Sequence, residues 1–387
     1  GAQVRRLEDG NWQVFGCGVG GLTAPDDVIN LGNSGTGVRL LMGLIAGQPI
    51  TVVLTGDASL RSRPMARIMT PLHQMGVTFA SAEGNRLPVT ITSPIELMPI
   101  TYKPPVASAQ IKSAVLLAGL AAPGETTIVE TVPTRDHTER MLRHFGADVR
   151  IEDNIDGEKS ITVVGQPELK GQQVIIPSDI SSAAFPLVAA LIAPEAEIRI
   201  EGVGINELRV GLLKTLAEMG ADIVKENLNY SKGEPIADLI VRSSRLKGVV
   251  VPAERAATMI DEYPILAIAA AAAEGSTYMA GLRELRVKES DRLALMAAGL
   301  KASGVNVDET EDSLVVHGNG NKPAGGAIIN SQEDHRIAMS FLVLGTVSKA
   351  PIRVAHAQTI ATSFPDFSIL MNYLGADMRV CEEDEND

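Results

Sequence analysis

An internal repeat limits what this chain can fold into more than any other feature of its sequence. Five times, a helical run is followed by glycine and then by a small or β-branched residue that opens a strand. The five glycines are 70, 74, 84 and 71 residues apart: Gly76, Gly146, Gly220, Gly304 and Gly375. Glycine ends a helix at this place, because it adopts the left-handed backbone conformation without steric cost. The spacing predicts a protein assembled from similar structural repeats.

Five apolar helices rich in small residues are each predicted to begin with polar side chains. These openings are 75, 73, 80 and 73 residues apart and start at Asn33, Ser108, Ser181, Asp261 and Asp334. Short β-rich runs such as 51–54 and 126–129 lie between the helices. The order strand, helix, strand, helix, strand, strand predicts an α/β fold with mixed sheets. Residues 260–273 are apolar on nearly all sides, which is typical of a helix buried inside sheets.

The repeats also predict the domain organisation. Residues 1–4 match the end of one more repeat, 75 residues before Gly76. Six repeats divide into two sets of three, so residues 1–171 are expected to hold the end of repeat one with repeats two and three, and residues 172–387 repeats four to six. If all repeats are similar in length, the complete protein carries roughly 60 to 70 further N-terminal residues. Mass spectrometry of the natural gene product tests this, and a native start at Gly1 would contradict it.

Composition excludes several classes of function. The 34 basic and 47 acidic residues give a net charge of −13, which is unfavourable for binding nucleic acid. The longest apolar run, 264–273, is about half the length of a membrane helix, so no membrane partner is expected. Two cysteines, Cys17 and Cys381, indicate a reducing compartment and a cytoplasmic location. The six histidines form no ligand pair, so no metal is expected either.

Arginines recur at or near the predicted helix openings. Arg63, Arg135 and Arg292 lie near the start of the second helix of their repeats, the helix that ends at the repeat glycine. Arg336 lies at the opening that starts at Asp334. Helix N-termini and planar guanidinium groups both favour phosphate and carboxylate ligands. The alternative for any single arginine is a surface salt bridge. Recurrence at equivalent positions of the repeats favours anion binding for the set.

The densest charged run is 286–292, with five charges in seven residues. Helical spacing would place Lys288 and Arg292 on one face with Glu289 beside them, and a solvated charged face is the alternative. Asp334, His335 and Arg336 invite comparison with a hydrolytic triad. No serine lies in a nucleophile-elbow context, however, so serine hydrolase chemistry is not expected.

Six motifs together resemble the 5-enolpyruvylshikimate-3-phosphate (EPSP) synthase family, in particular its bacterial glyphosate-tolerant subgroup. They occupy residues 33–37, 56–65, 108–114, 134–137, 286–292 and 334–336. The resemblance covers nearly the whole chain up to the acidic tail at 382–387. It implies a two-domain inside-out α/β barrel, the enolpyruvyl transferase fold, built from βαβαββ repeats with the first repeat truncated.

The resemblance also implies a reaction. Members of the family move the enolpyruvyl group of phosphoenolpyruvate to the 5-hydroxyl of shikimate 3-phosphate, through a tetrahedral ketal that expels phosphate. The two small-molecule substrates are the implied partners, no cofactor is implied, and the protein is expected to be a monomer. This chemistry needs a base for the hydroxyl, an acid for the methylene carbon and cations for the anionic groups.

Site residues follow from the resemblance, position by position. Asp261 is the expected proton acceptor, Glu289 the candidate for proton exchange at the methylene carbon, and Lys288 a third catalytic residue. The residues expected to bind phosphoenolpyruvate are Gly35, Arg63, Gln110, Arg292 and Arg336. The residues expected to bind shikimate 3-phosphate are Ser108, Gln110, Arg135, Asp261 and Lys288.

Three departures from the family pattern carry expectations of their own. The N-terminal Gly-Asp-Lys-Ser segment, which serves both substrates, does not occur here, so this chain alone is expected to release no phosphate until the segment is restored. Thr362 replaces a lysine found in many members, as it does in the glyphosate-tolerant subgroup. Gly35 is the residue of glyphosate-sensitive members, since alanine there would crowd the inhibitor.

Two alternatives stay open at this point. The related enolpyruvyl transferase that acts on UDP-N-acetylglucosamine shares the fold and the donor but relies on a cysteine in a mobile loop, where this sequence offers only Cys17 and Cys381. The other alternative is a non-catalytic or split fragment that binds shikimate 3-phosphate without turning it over.

Overall fold

All five repeat glycines adopt the left-handed conformation directly after a helix. In the computed structural model, which describes residues 1–230 and 233–381, their φ angles lie between +79° and +103°. In each case the helix stops two residues earlier, and the backbone N–H of the capping residue in between bonds back to carbonyls of the last turn. The predicted helix ends are therefore confirmed. Residues 382–387, the acidic tail, lie outside the described residues.

The chain divides into two compact units, Gly1–Val174 and Ile175–Asp387, called the N-terminal and C-terminal units below. The strands of the N-terminal unit are β1 (Gln3–Arg6), β2 (Trp12–Phe15), β3 (Ile29–Asn30), β4 (Thr51–Thr55), β5 (Thr78–Ala82), β6 (Arg86–Thr92), β7 (Thr101–Tyr102), β8 (Glu125–Glu130), β9 (Val149–Asp153) and β10 (Lys159–Val164). Its helices are α1 (Gly35–Ala46), α2 (Ala58–Ser62), α3 (Ala66–Gln74), α4 (Ala109–Gly119) and α5 (His137–His144).

The C-terminal unit repeats the same alternation. Its strands are β11 (Glu197–Gly204), β12 (Asp222–Asn229), β13 (Ile236–Arg242), β14 (Val250–Val251), β15 (Glu274–Met279), β16 (Asn306–Glu309), β17 (Leu314–Asn319), β18 (Ile328–Asn330) and β19 (Arg353–Ala355). Its α-helices are α6 (Ile180–Ile192), α7 (Gly211–Glu218), α8 (Tyr263–Ala272), α9 (Arg292–Ala302), α10 (His335–Gly345) and α11 (Phe367–Tyr373). Short 3-10 helices cover Ala253–Thr258, Ile260–Glu262, Arg283–Val287 and Ala357–Thr362.

The sheets show the repeat directly. Three four-stranded sheets have the orders β3-β4-β6-β5, β7-β8-β10-β9 and β14-β15-β17-β16. In each sheet, the first two strands of this order are parallel, and the first helix of the repeat connects them. The other two pairs of neighbouring strands are antiparallel. Strands β11-β13-β12 follow the same plan, with a parallel bridge from Ser178 to Val203 in place of a first strand. This mixed pairing confirms the α/β class and the βαβαββ repeat.

Apolar helices form the interior of the C-terminal unit. Every residue of α8 from Tyr263 to Ala271 is buried, and α8 packs against α6, α9, α10 and β17. Alanines let these helices approach closely, because each adds only one methyl group to the contact. The expectation that residues 260–273 form a helix is confirmed for 263–272, of which 263–271 are buried, and residues 260–262 form a 3-10 turn.

In the N-terminal unit the equivalent contact joins α1 and α4. Gly43 of α1 lies so close to Ala114 of α4 that a Cβ atom at position 43 would overlap the Ala114 backbone. The glycine therefore sets the distance between the two helices whose first turns carry Gly35 and Gln110. No helix of the described ranges is long and apolar enough to cross a membrane.

Replacing Gly43 with alanine is expected to lower the free energy of unfolding by about 1–3 kcal/mol, because the methyl group must push α1 away from α4. Gly345, also helical, is the matched control, since a Cβ there meets Ile352 at an ordinary 3.6 Å. Gly345→Ala is expected to be neutral or to stabilise by up to about 1 kcal/mol through helix propensity. Urea unfolding measures both, and equal midpoints for the two variants would contradict the prediction.

Candidate active site

The start of α1 carries the first cluster of predicted site residues. Ser34 caps the helix by accepting the Gly37 N–H at 3.1 Å, and the Gly35 N–H donates to the Asn33 carbonyl at 2.9 Å. Arg63 is held beside this turn, since its Nη2 donates to Asn33 Oδ1 at 3.0 Å and to Ser59 Oγ at 3.2 Å. A guanidinium group and a helix N-terminus thus lie together, as the sequence predicted.

Gln110 links the starts of α1 and α4. Its Nε2 donates to Thr36 Oγ1 at 2.8 Å, and its Oε1 accepts from Arg39 Nη1 at 3.0 Å. Ser108 caps α4 by accepting the Ile111 N–H at 3.4 Å. The structure therefore brings Gly35, Arg63, Ser108 and Gln110 to two adjoining helix starts. Arg135 follows β8 in the loop 131–136, directly before α5.

Arg39 is a cation of this cluster that the sequence analysis did not single out. Its Nη1 also donates to the Gly35 carbonyl at 3.3 Å. Burial lowers the pKa of Arg39, and the neighbouring charges of Arg63 and Arg67 lower it further. Three close arginines favour an anionic ligand, because an anion relieves their mutual repulsion. The sequence signal was available: Arg39 lies four residues after Gly35 on one helix face.

The C-terminal unit carries a second cluster around Asp261. Its Oδ1 lies 3.4 Å from Lys288 Nζ and 3.4 Å from Arg292 Nη1. The predicted geometry of this run was wrong, since residues 288–291 are not helical and α9 begins only at Arg292. Asp291 causes this start, because its side chain caps α9 by accepting the Ala294 N–H at 3.0 Å. Lys288 and Arg292 nevertheless meet at the same carboxylate oxygen.

Arg292 is almost fully buried and is surrounded by carboxylates. Its Nε donates to Asp334 Oδ2 at 2.8 Å, and its Nη2 lies 2.5 Å from Glu289 Oε2. Burial alone would lower the pKa of Arg292, but the charges of Asp334, Glu289 and Asp261 outweigh it and raise that pKa. Burial likewise opposes ionisation of Asp334, yet Arg292 and the Ser290 hydroxyl keep the pKa of its carboxyl below the usual value. Both groups are therefore charged at neutral pH.

Arg336 contacts Asp261 through the backbone of that residue. Its Nη1 donates to the Asp261 carbonyl at 2.9 Å and is 3.7 Å from Glu262 Oε1. Asp334 caps α10 by accepting the Arg336 N–H at 2.9 Å, so the arginine stands in the first turn of that helix. Burial and the positive charge of Arg336 lower the pKa of the adjacent His335. This ring is therefore neutral near pH 7.

Glu262 is another ionisable residue that the sequence analysis did not single out. It is fully buried and accepts a hydrogen bond from Ser181 Oγ, which in turn accepts one from Arg209 Nη2 at 2.6 Å. Ser181 was predicted to open a helix, but α6 is capped two residues earlier by Asp179. The Ser181 hydroxyl instead joins Glu262 to Arg209.

The two clusters share one design, in which arginines and polar caps stand at the first turns of apolar helices. In the described ranges, no group of three or more histidine, cysteine, aspartate or glutamate side chains could hold a metal ion. Cations with one central carboxylate suit proton transfer on a multiply anionic small molecule. The fold and these clusters define the class: a repeat-built α/β enzyme that acts on anionic substrates.

Comparison with known proteins identifies the family. The model of the EPSP synthase (3-phosphoshikimate 1-carboxyvinyltransferase) family matches residues 1–370. The 3-phosphoshikimate 1-carboxyvinyltransferase of Paramagnetospirillum magneticum is 61% identical over 97% of this chain and 84% of its own length. The enzyme of that name from Parvibaculum lavamentivorans is 57% identical over 97% of this chain and 83% of its own length. The chain belongs to the EPSP synthase family.

Solved structures agree with this assignment. EPSP synthase from Acinetobacter baumannii is 46% identical, with a TM-score of 0.89 over 99% of this chain and 86% of that one. The enolpyruvyl transferase NikO from Streptomyces tendae, at 17% identity and a TM-score of 0.65, covers 93% of this chain and 97% of its own. NikO shares the fold only. The predicted enolpyruvyl transferase fold is thereby confirmed.

Proposed function

We propose that this protein transfers the enolpyruvyl group of phosphoenolpyruvate to the 5-hydroxyl of shikimate 3-phosphate and releases phosphate. Membership of the EPSP synthase family supports this reaction. The observation that carries its chemistry is the Asp261 carboxylate, with Lys288 and Arg292 each 3.4 Å from one oxygen. Relatives of 55–61% identity carry the shikimate enzyme's name, which favours this acceptor over UDP-N-acetylglucosamine.

The reaction takes place in two balanced steps. In the first, Asp261 accepts the proton of the 5-hydroxyl, and the hydroxyl oxygen bonds to C2 of phosphoenolpyruvate. At the same time the methylene carbon C3 gains a proton from Glu289. In the second, the bond from C2 to the phosphate oxygen breaks, and the leaving phosphate takes the proton that Asp261 had accepted. C3 returns a proton to Glu289, which restores the double bond. Lys288 stabilises negative charge on Asp261 and on the hydroxyl oxygen as the proton leaves.

The remaining predicted residues hold the substrates. The first cluster and two arginines of the second are proposed to bind phosphoenolpyruvate: Gly35, Arg63, Gln110, Arg292 and Arg336. Shikimate 3-phosphate is proposed to bind a helix cap, a glutamine shared with phosphoenolpyruvate, two cations and the catalytic aspartate: Ser108, Gln110, Arg135, Lys288 and Asp261. Guanidinium groups suit both phosphates and the carboxylates, because each offers paired N–H donors.

The direct test is phosphate release by the natural gene product. Release is expected only when both phosphoenolpyruvate and shikimate 3-phosphate are present, with an equal amount of enolpyruvylated product by mass spectrometry. Phosphate release without shikimate 3-phosphate, or with UDP-N-acetylglucosamine in its place, would contradict the proposal. Binding of shikimate 3-phosphate without any turnover would support the non-catalytic alternative instead.

Replacing Gly35 with alanine is expected to raise the KM for phosphoenolpyruvate about tenfold. A Cβ atom there would lie 3.0 Å from Arg63 Nη1 and 3.3 Å from Arg39 Nη1, so both guanidinium groups must move. Inhibition by glyphosate is expected to weaken at least as much. Gly16→Ala is the control, since a Cβ at position 16 meets nothing within 4 Å. Steady-state kinetics decide, and a KM unchanged by Gly35→Ala would contradict the prediction.

We also propose that the protein acts as a monomer in the cytoplasm. Cys17 and Cys381 are both free thiols, as a reducing compartment favours. Sedimentation velocity of the natural gene product is expected to give a single species of monomer mass at micromolar concentration. A concentration-dependent shift to a dimer would contradict the monomer.

A further inference from the structure

A buried lysine in the N-terminal unit has no part in the reaction proposed above. Lys112 belongs to α4, one turn beyond the Ser108 cap, and its side chain is only 1% exposed. An ammonium group taken out of water is unfavourable unless it is paired and fully hydrogen-bonded. Its three partners therefore indicate what the lysine does.

Lys112 joins α4 to three points of the next structural elements. Its Nζ lies 2.7 Å from Glu139 Oε1 on α5 and 3.1 Å from Glu130 Oε2 at the end of β8. The third partner is the carbonyl of Thr134 in the loop 131–136, which accepts from Nζ at 3.2 Å. The ammonium group, carried by the helix before the loop, is thus bound to the strand that leads into the loop, to the loop itself and to the helix after it.

The ion pair of Lys112 and Glu130 holds Thr134 through both its backbone and its side chain. Its carbonyl accepts from Lys112, and its N–H donates to Glu130 Oε2 at 3.4 Å. The Thr134 hydroxyl donates to the other oxygen of Glu130. Because Arg135 is the next residue, the position of its Cα atom depends on the orientation of the Thr134 peptide group.

Burial of apolar side chains does not fix this loop. None of the residues 131–136 is buried, and Val132 is 49% exposed. A small cavity of about 10 Å³ lies between the segment 104–108 and the residues 129–132. Polar contacts such as those at Thr134 therefore have a large share in holding the loop.

We infer that Lys112 is a positioning residue: together with Glu130 it holds Thr134, and thereby Arg135, in register with Ser108 and Gln110 at the start of α4. This role rests on the proposed function, in which Arg135 binds shikimate 3-phosphate. A guanidinium group binds phosphate well only when its donors are aimed correctly. Lys112 orients the Arg135 guanidinium group from inside the protein, without contacting the substrate.

Glu139 provides the matched control for this role. Like Glu130 it is buried and paired with Lys112, but it makes no contact with Thr134 among the described hydrogen bonds. Burial raises the pKa of Glu139, which the charge of Lys112 only partly offsets. Its Oε2 atom has no hydrogen-bond partner in the described part of the chain. Glu139 therefore compensates the charge of Lys112, whereas Glu130 also binds Thr134 in the loop.

The test is calorimetric titration of the natural gene product and its variants with shikimate 3-phosphate. Lys112→Met and Glu130→Gln are each expected to raise the Kd at least about tenfold, because Arg135 loses its alignment. Thr134→Val, which removes only the hydroxyl, is expected to raise it about threefold or more. Glu139→Gln is expected to stay within about twofold of the wild type. Thermal melting confirms that each variant is folded.

Hydrogen exchange gives a readout that does not depend on the ligand. The peptide spanning 131–136 is expected to exchange faster in Glu130→Gln and Lys112→Met than in Glu139→Gln. If Lys112→Met does not fold, the contrast between Glu130→Gln and Glu139→Gln still decides.

Equal effects of Glu130→Gln and Glu139→Gln on both readouts would overturn the inference, because a purely structural charge cluster treats the two carboxylates alike. A wild-type protein that binds no shikimate 3-phosphate contradicts the proposed function instead, and the exchange data then still report on the loop.

Discussion

Asparagine in place of Asp261 is expected to lower kcat about 10³-fold in an enzyme that still folds and still binds shikimate 3-phosphate. Loss of a general base costs between about 10² and 10⁴ in rate. An amide has nearly the same shape as the carboxylate but does not accept a proton at neutral pH. Lys288 and Arg292 then face a neutral group, so the Kd for shikimate 3-phosphate is expected to change by less than about tenfold.

Glu284 offers the matched control for this variant. Its Oε1 lies 2.8 Å from Lys288 Nζ, closer than Asp261 does, and its side chain is 64% exposed. Glu284→Gln therefore removes a negative charge from the same lysine without removing the proposed base. Its kcat is expected to stay within about twofold of the wild type. Phosphate-release kinetics compare the two, and a kcat for Asp261→Asn within tenfold of the wild type would remove Asp261 from the mechanism.

The second large effect is on stability. Asp334→Asn is expected to lower the free energy of unfolding by about 3 kcal/mol, because the buried Arg292 loses the carboxylate bound to its Nε. For a unit of this size, that corresponds to a Tm lower by about 6–12 °C. The figure is at the low end for a broken buried ion pair, since Glu289 and Asp261 still face Arg292.

The control for Asp334 is another helix cap. Asp179 caps α6 as Asp334 caps α10, but its side chain is 57% exposed and lies 3.9 Å from its arginine. Asparagine caps a helix as well as aspartate does. Asp179→Asn is therefore expected to shift the Tm by less than about 2 °C, since surface substitutions stay within about 0.5 kcal/mol. Similar shifts for both variants, measured by calorimetry, would mean that capping explains the stability and that the Arg292 pair does not.

The pH dependence of this difference follows from the lowered pKa of Asp334. A carboxyl whose pKa is lower in the folded state stabilises the fold above its unfolded value, near about 3.9. That stabilisation is lost as the pH falls through the folded pKa. The Tm difference between wild type and Asp334→Asn is thus expected to be constant from about pH 5 to 8 and to shrink below about pH 4. A difference that grows on acidification would contradict the pairing.

Much of the fold could be predicted because its signals are local. A glycine such as Gly146 ends its helix through the φ angle of one residue, and the periodic recurrence of that event marks each repeat. The two-residue strands β3, β7 and β14 were not predictable, since so short a pairing depends on the neighbouring strand for its hydrogen bonds. The non-helical run 288–291 was missed because the cap at Asp291 overrides a charge pattern that also fits a helix.

The site residues likewise include some that the sequence could predict and some that it could not. Arginines such as Arg63 and Arg336 were predictable from their recurring place at helix starts. Lys112 and Glu262 were not, because a buried charge is defined by partners far along the chain: Lys112 meets Glu130 18 residues later, and Glu262 meets Ser181 81 residues earlier. Only the folded structure shows which carboxylate pairs with which cation.

The buried helix α8 limits which amino-acid substitutions this protein can accept. Its alanines from Ala267 to Ala271 are at most 3% exposed, and helices or strands lie against them on several sides. A larger side chain there has no direction in which to expand, whereas residues of β9 such as Ile151, 39% exposed, have solvent on one side. In a library of random variants selected for function, replacements should accumulate on the outer strands and be nearly absent from α8.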